Sequence, residues 1–198
     1  MSQFFESIRV QDGKAHELEA HQQRINRCLQ AFRGQPLSLE NIAFVTDFPK
    51  TGLYKWRVQY GLDGVSQSIV SPYKPSQLFS MSIETADHIA YQHKFEDRMA
   101  ISQLLNASEH SDIIMLKKGL ITDSSYANLV FFNGQQWLTP KTPMLLGTQR
   151  AVLLAQGRIL EADISPETLD RFTVFKRINA LMTFETSPNL PIGLITSL

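Results

Sequence analysis

Four short stretches of the chain carry side chains able to do chemistry. Gly119-Leu-Ile-Thr-Asp123-Ser124-Ser125-Tyr-Ala-Asn128 gathers a carboxylate, the paired serine hydroxyls and an amide directly ahead of an apolar run. At a strand edge, Asp123 could face a buried cation; taken alone, the stretch reads as an ordinary polar strand start. His21-Gln-Gln-Arg24 sets an imidazole and a guanidinium three residues apart. On a helix those positions share a face, and the planar guanidinium fork suits a phosphate. The same spacing serves a solvated or capping pair equally well. In Leu146-Gly147-Thr148-Gln149-Arg150, after Pro140 and Pro143, a helix should begin. Its first backbone N–H groups lack intrahelical partners and its dipole is positive there, which makes an anion site unless it is an ordinary helix start. Last, His93-Lys94-Phe-Glu-Asp97-Arg98 puts a lysine between a strand and a helix. Partial burial near other cations would release its proton and make the amine a nucleophile; in solvent it would stay an ordinary ammonium.

The elements that must position these residues follow from the spacing of apolar residues. Residues 4–10 alternate and Asp12-Gly13 is a hairpin dipeptide, so a strand pair opens the chain. Leu18, His21, Ile25, Leu29 and Phe32 form a helical stripe that Gly34 and Pro36 end. A short helix is expected near 38–47, strands at 53–60 and 65–70, and a surface connection over 71–79. A strand near 79–85 leads to His93-Lys94 and a helix at 97–108. Residues 112–117 form a strand, Lys118-Gly119 a turn and 126–132 a second strand. Asn133-Gly134 then turns the chain toward 135–139. Helix at 148–156, strand at 158–161, helix at 165–171 and strand at 172–176 complete the pattern. Such interspersed elements predict an α+β chain of two lobes, 1–84 and 85–198, joined within 80–92.

The bulk composition excludes several classes. Nineteen basic and nineteen acidic residues leave no net charge, so nothing draws the whole chain to nucleic acid or an anionic membrane, and an anion site must be local. Cys28 is the only cysteine, which excludes an internal disulfide and a multi-cysteine zinc site, and no metal is expected. No apolar run approaches the roughly 18 residues of a membrane span. The opening residues lack the basic start and apolar core of a signal peptide. A cytoplasmic, soluble protein is the expectation.

The order of these features resembles the fold-type IV pyridoxal phosphate (PLP) enzymes, the class IV aminotransferase group, which includes the aminodeoxychorismate lyases. Phe5-Glu6-Ser7-Ile8-Arg9-Val10 with Asp12-Gly13, then His21-x-x-Arg24, resembles the family's N-terminal pattern. His93-Lys94 resembles its Schiff-base lysine, and Ile121-Thr-Asp-Ser-Ser-Tyr-Ala-Asn128-Leu-Val-Phe its cofactor segment. Thr139-Pro140 with Leu146-Gly147-Thr148-Gln149-Arg150 is similar to its phosphate cup, and Ile178-Asn179-Ala180-Leu181-Met182 to its last cofactor loop. The resemblance covers roughly residues 4–184.

It implies a two-lobed, D-amino-acid-aminotransferase-like fold with a shortened N-terminal lobe, and PLP in the cleft between the lobes. By the same resemblance Lys94 holds the cofactor and shuttles the proton. Asp123, flanked by Ser124, Ser125 and Asn128, pairs with the pyridine nitrogen and keeps the ring an electron sink. Arg24 takes the phosphate, with Gly147, Thr148 and Gln149 at the helix start and Asn179 and Ala180 in the last loop. The implied substrate is a small amino compound, with Arg98 on its carboxylate. Asn179-Ala-Leu-Met182, and Lys94 with Arg98 four residues on, resemble the 4-amino-4-deoxychorismate lyases, which belong to folate biosynthesis. Branched-chain or D-amino acid transamination stays open, as does a non-catalytic PLP-binding member. Three departures stand out. The family usually begins with a further strand and active-site loop, its cup reads Gly-Ile-Thr-Arg, and its acid is more often Glu than Asp. The first raises the expectation of a homodimer whose partner subunit covers the site.

Overall fold

The computed structural model describes residues 3–44 and 46–196. The chain forms two compact units, Met1–Pro75 with His93–Asp97, and Ser76–Gln92 with Arg98–Leu198.

In the first unit, β1 (Phe4–Gln11) turns at Asp12-Gly13 into β2 (Lys14–Ala15). Both turn residues have positive φ, 49° and 80°, which the twist of a tight hairpin requires and which Asp and Gly tolerate. Helix α1 (Leu18–Phe32) and the short α2 (Leu39–Phe44) follow, then β3 (Leu53–Gly61) and β4 (Gly64–Pro72). The antiparallel sheet runs β2-β1-β3-β4. Period-two alternation sends Phe4, Ile8 and Val10 of β1 to one face, with Trp56, Val58 and Tyr60 of β3. Against them packs the α1 stripe of Ile25, Cys28 and Leu29. Residues 93–97 join this unit through backbone bonds: Phe5 N–H donates to the Lys94 carbonyl (3.1 Å) and Glu96 N–H to that of Gln3 (2.9 Å).

The second unit holds β5 (Met81–Thr85), α3 (Met99–Ala107), β6 (Asp112–Lys117), β7 (Leu120–Ser124), β8 (Asn128–Phe132), β9 (Trp137–Pro140), α4 (Thr148–Ala155), β10 (Leu160–Ala162), β11 (Val174–Ile178), β12 (Leu190–Pro191) and β13 (Ile195–Thr196). Its sheet runs β10-β9-β8-β7-β6-β5-β13, and β11 also pairs with β8 and β12. The β5–β6 pair is parallel, with α3 in the connection; β6-β7-β8-β9 is an antiparallel meander. Strand β8 is covered on both faces. Leu129 and Phe131 join Met81, Ile83, Ile114, Ile121 and Phe175, whereas Val130 packs on the other side with Leu153 of α4, Ile159 and Ile178.

Two expectations from the sequence need correction. A turn at Lys118-Gly119 and one strand at 126–132 were expected; residues 120–132 form two strands, β7 and β8. The buried hydroxyls of β7 satisfy themselves locally, Thr122 on the Met115 carbonyl (2.7 Å) and Ser124 on that of Ala127 (3.3 Å), so polarity did not mean exposure. The helix expected at 165–171 is a 3₁₀ segment, Pro166–Arg171.

Phe131 is fully buried against the rings of Phe172 (5.3 Å) and Phe175 (6.0 Å). Phe131→Ala should cost about 3–5 kcal/mol, read as a lower urea midpoint with an unchanged slope.

Candidate active site

The first unit contributes a buried ionic cluster. Glu6 sits on the inward face of β1, between Phe4 and Ile8, and is wholly inaccessible. The i, i+3 pair of α1 meets it there. Arg24 Nε donates to Glu6 Oε1 (2.8 Å), Arg24 Nη2 donates to Oε2, and His21 Nδ1 lies 2.6 Å from Oε2. Burial alone would raise the Glu6 carboxyl, but the Arg24 guanidinium and the His21 hydrogen bond outweigh it and hold the group at about 2. Burial lowers the His21 pKa, with the Glu6 bond opposing. A neutral imidazole facing a carboxylate must carry its proton on Nδ1, which leaves Nε2 an acceptor; that atom is buried and has no partner among the described residues. Lys94 is half-buried, its ammonium 4.6 Å from the centre of the Phe5 ring. The Arg57 guanidinium lies 3.9 Å from the same ring and pairs with Glu96 at 3.3 Å.

The second unit contributes Asp123, on β7 directly opposite Asn128 of β8. Asn128 Nδ2 donates to Asp123 Oδ1 (2.7 Å) and also to the Leu145 carbonyl (2.9 Å), while Leu145 N–H donates to Asp123 Oδ2 (2.9 Å). Burial pushes the Asp123 carboxyl up to about 6 against these donors and the more distant Arg150. Helix α4 starts just beyond at Gly147, whose backbone is extended and supplies no side-chain cap. Thr148, Gln149 and Arg150 are buried in that first turn, and Gln149 Oε1 has no partner among the described residues. Arg150 is committed to the Pro140 carbonyl (2.9 Å) and to Glu161 (2.6 Å).

The β7–β8 turn is clasped from several directions. Asp112, fully buried, accepts from Ser125 N–H (3.2 Å) and pairs with Arg177 (3.0 Å). Arg177 also bonds the Tyr126 hydroxyl. Arg98 donates to the Ser125 carbonyl and lies 5.8 Å from the Tyr91 ring. Asn179 donates to the Tyr126 carbonyl (3.3 Å), and its Oδ1 accepts from Leu181 and Met182 N–H, both at 2.9 Å. Its side chain therefore serves the turn that contains the half-buried Ala180.

The sequence reading brought Arg24, Lys94, Asp123, Ser124, Ser125, Asn128, Gly147, Thr148, Gln149, Asn179, Ala180 and Arg98 forward, and the structure distributes them as above: Arg24 and Lys94 in the first unit, the rest in the second. It passed over Glu6, Asp112 and Arg177 as individual residues. For Glu6 a signal existed, a lone carboxylate on the apolar face of an alternating strand with His and Arg at helical spacing downstream. Asp112 and Arg177 are 65 residues apart and gave none.

Residues 92–184 match the family model for amino-transferase class IV. An uncharacterized protein of Haemophilus influenzae is 33% identical over 186 residues, 91% of this chain and 98% of its own length. This chain belongs to the class IV aminotransferase family. A crystal structure of a Haemophilus somnus 129pt protein, provisionally named 4-amino-4-deoxychorismate lyase, is 32% identical with a TM-score of 0.81, over 93% of this chain and 98% of that one. A hypothetical aminotransferase from Mycobacterium tuberculosis, solved in a PLP-bound form, shares the fold at 17% identity and a TM-score of 0.75, over 95% and 80% of the two chains. The fold is thus that of the fold-type IV aminotransferases, and the family's cofactor is PLP.

The residues of this class IV chain fit that group. An uncapped helix start, with Thr148 and Gln149 buried in its first turn, offers backbone N–H donors for a phosphate. A buried carboxyl held by an amide and a backbone N–H suits a protonated ring nitrogen.

The two carboxylates should give opposite pH signatures in the cofactor-free protein. Asp123 has a folded pKa, about 6, above its ordinary 3.8, so its contribution to stability is complete below about 4 and lost as pH rises through 6. Asp123→Asn should therefore gain on the wild type by up to about 3 kcal/mol between pH 4 and 7, measured by urea unfolding. Glu6, lowered from 4.5 to about 2, contributes above 4.5 and loses that contribution as pH falls toward 2. Glu6→Gln should flatten this acid limb and, by leaving Arg24 buried without its anion, cost about 3–5 kcal/mol at pH 7.

Proposed function

We propose that this chain is a PLP-dependent 4-amino-4-deoxychorismate lyase that releases pyruvate and 4-aminobenzoate. The observation that carries the PLP part of the reading is Asp123, a buried carboxyl with a backbone N–H on one oxygen and an amide on the other. The lyase assignment is supported by the similarity to the Haemophilus somnus protein and by the Asn179-Ala-Leu-Met182 loop.

PLP, when bound, is an electron sink for the carbon beside the substrate amine. Asp123, raised toward neutrality by burial, ionises beside a cationic ring nitrogen and keeps the proton there. The first N–H groups of α4 at Thr148 and Gln149 would hold the phosphate, with Asn179 and Ala180 adding main-chain contacts; the family resemblance gives Arg24, which Glu6 holds in one orientation, the same role. The Lys94 amine would hold the cofactor at its aldehyde and would serve as base and acid. It would take the ring proton beside the substrate amine; the ring C–O bond to the enolpyruvyl group would then break, and that group's methylene carbon would gain a proton so that it leaves as pyruvate while the ring becomes aromatic. Arg98, with one amino group already on Ser125, offers its remaining edge to a substrate carboxylate. The functional form is a homodimer in the cytoplasm.

The second reading is amino-group transfer to a keto acid, which the family match itself favours. Protein reconstituted with PLP separates the two: pyruvate released from aminodeoxychorismate supports the lyase, and amine exchange with a keto acid supports the transferase. PLP binding with neither product sinks both and leaves a non-catalytic binder. Lys94→Ala should lose the borohydride-sensitive absorbance near the visible edge and at least about 10³-fold in turnover. Asp123→Ala should keep part of the binding and lose most of the turnover.

A further inference from the structure

We propose that Asn128 and Gly147 form a positioning pair for Asp123, Asn128 holding the carboxylate and Gly147 keeping open the space that the Asn128 amide occupies. The proposal rests on the reading of Asp123 as the partner of the ring nitrogen, and it removes Asn128 and Gly147 from the residues that touch the cofactor.

Both amide hydrogens of Asn128 are spent, one on Asp123 Oδ1 (2.7 Å) and one on the Leu145 carbonyl (2.9 Å). A reversed amide would set its oxygen against these two acceptors, so chemistry dictates the orientation. Leu145 N–H closes the ring on Asp123 Oδ2 (2.9 Å). The carboxylate plane is thereby set by one side chain and one peptide. With no donor left, Asn128 acts through Asp123.

Gly147 is the other half. Its backbone, φ −69° and ψ 145°, is one that any residue adopts, so conformational freedom is not why glycine stands there. Space is. A Cβ at this position would lie 1.8 Å from Asn128 Oδ1 and 3.0 Å from its Cγ. Any larger residue must drive the Asn128 amide off Asp123. The groups that face Asp123 are then Leu145 and Met144 N–H in the preceding loop and the Arg150 charge on α4.

The decisive experiment titrates the Asp123 side-chain carboxyl by ¹³C NMR in cofactor-free protein, for Asn128→Ala, Gly147→Ala and the double variant. Each single substitution should raise the Asp123 pKa by about one unit. The double variant should match Asn128→Ala alone, because the methyl group has nothing left to displace. Asn128→Ser, which is shorter and keeps a donor, should relieve the defect of Gly147→Ala and replaces the alanine variant should that one fail to fold. An unchanged Asp123 titration in Asn128→Ala, or a Gly147→Ala effect that persists in full in the double variant, overturns the pair. Wild-type absorbance with added PLP is read in parallel. Absence of binding there defeats the PLP reading alone, since the carboxyl titration needs no cofactor.

Discussion

A charge taken out of water must be met by an opposite charge or by donors, and both units of this protein are organised around carboxylates placed under that constraint. Glu6 is met by a guanidinium and stays ionised far below its ordinary range. Asp123 is met by neutral donors and sits near neutrality. In the first arrangement Glu6, Arg24 and His21 lock β1 to α1. The second is unfinished, because an amide and a peptide N–H orient a carboxylate without neutralising it. A carboxyl left in that condition is suited to receive a cation from a ligand, and its protonation depends on whether one is present.

The scaffold around Asp123 follows from the need to keep its oxygens in place. Strand β8 is buried on both faces, so its register against β7 cannot slip without exposing Phe131 or Val130, and that register sets Asn128 opposite Asp123. The turn between the strands is tied by Asp112, Arg177, Arg98 and Asn179 to four separate parts of the second unit. Arg177 and Asp112 are a buried pair whose desolvation is offset by further bonds to Tyr126 and Ser125. Such a pair gives position more than stability. The same economy appears in Asn179, whose side chain closes its own turn and bonds the Tyr126 carbonyl.

Most of the element pattern was legible before any coordinates, because a strong apolar period leaves few choices. The α1 stripe, the β6 boundaries and the Asp12-Gly13 turn are cases in which local sequence and tertiary packing agree. Strand β7 was not separated from β8 because Thr122, Asp123 and Ser124 read as the polar start of a single strand until their partners are known. Those partners are the Met115 carbonyl, the Leu145 peptide and the Ala127 carbonyl, and their pairing is not encoded by the polarity of the stretch itself. The 3₁₀ segment at Pro166–Arg171 differs from the expected helix only in its tighter turn, a distinction that six residues beginning with proline do not encode strongly.

By itself the sequence determined which residue types were available and in what order: a lysine ahead of a helix, a carboxylate ahead of an apolar run, a glycine opening a helix, a histidine and arginine three apart. Periodicity and motif order depend only on neighbours along the chain, so they survive without a structure. Tertiary structure alone decided that Glu6 is the anion Arg24 answers to, that Arg177 reaches back 65 residues to Asp112, and that Gly147 is glycine for want of room rather than for its backbone. Those are facts of contact between distant segments. Packing distance, burial and the local dielectric arise only when the chain has closed on itself, and they set the charge state of Asp123.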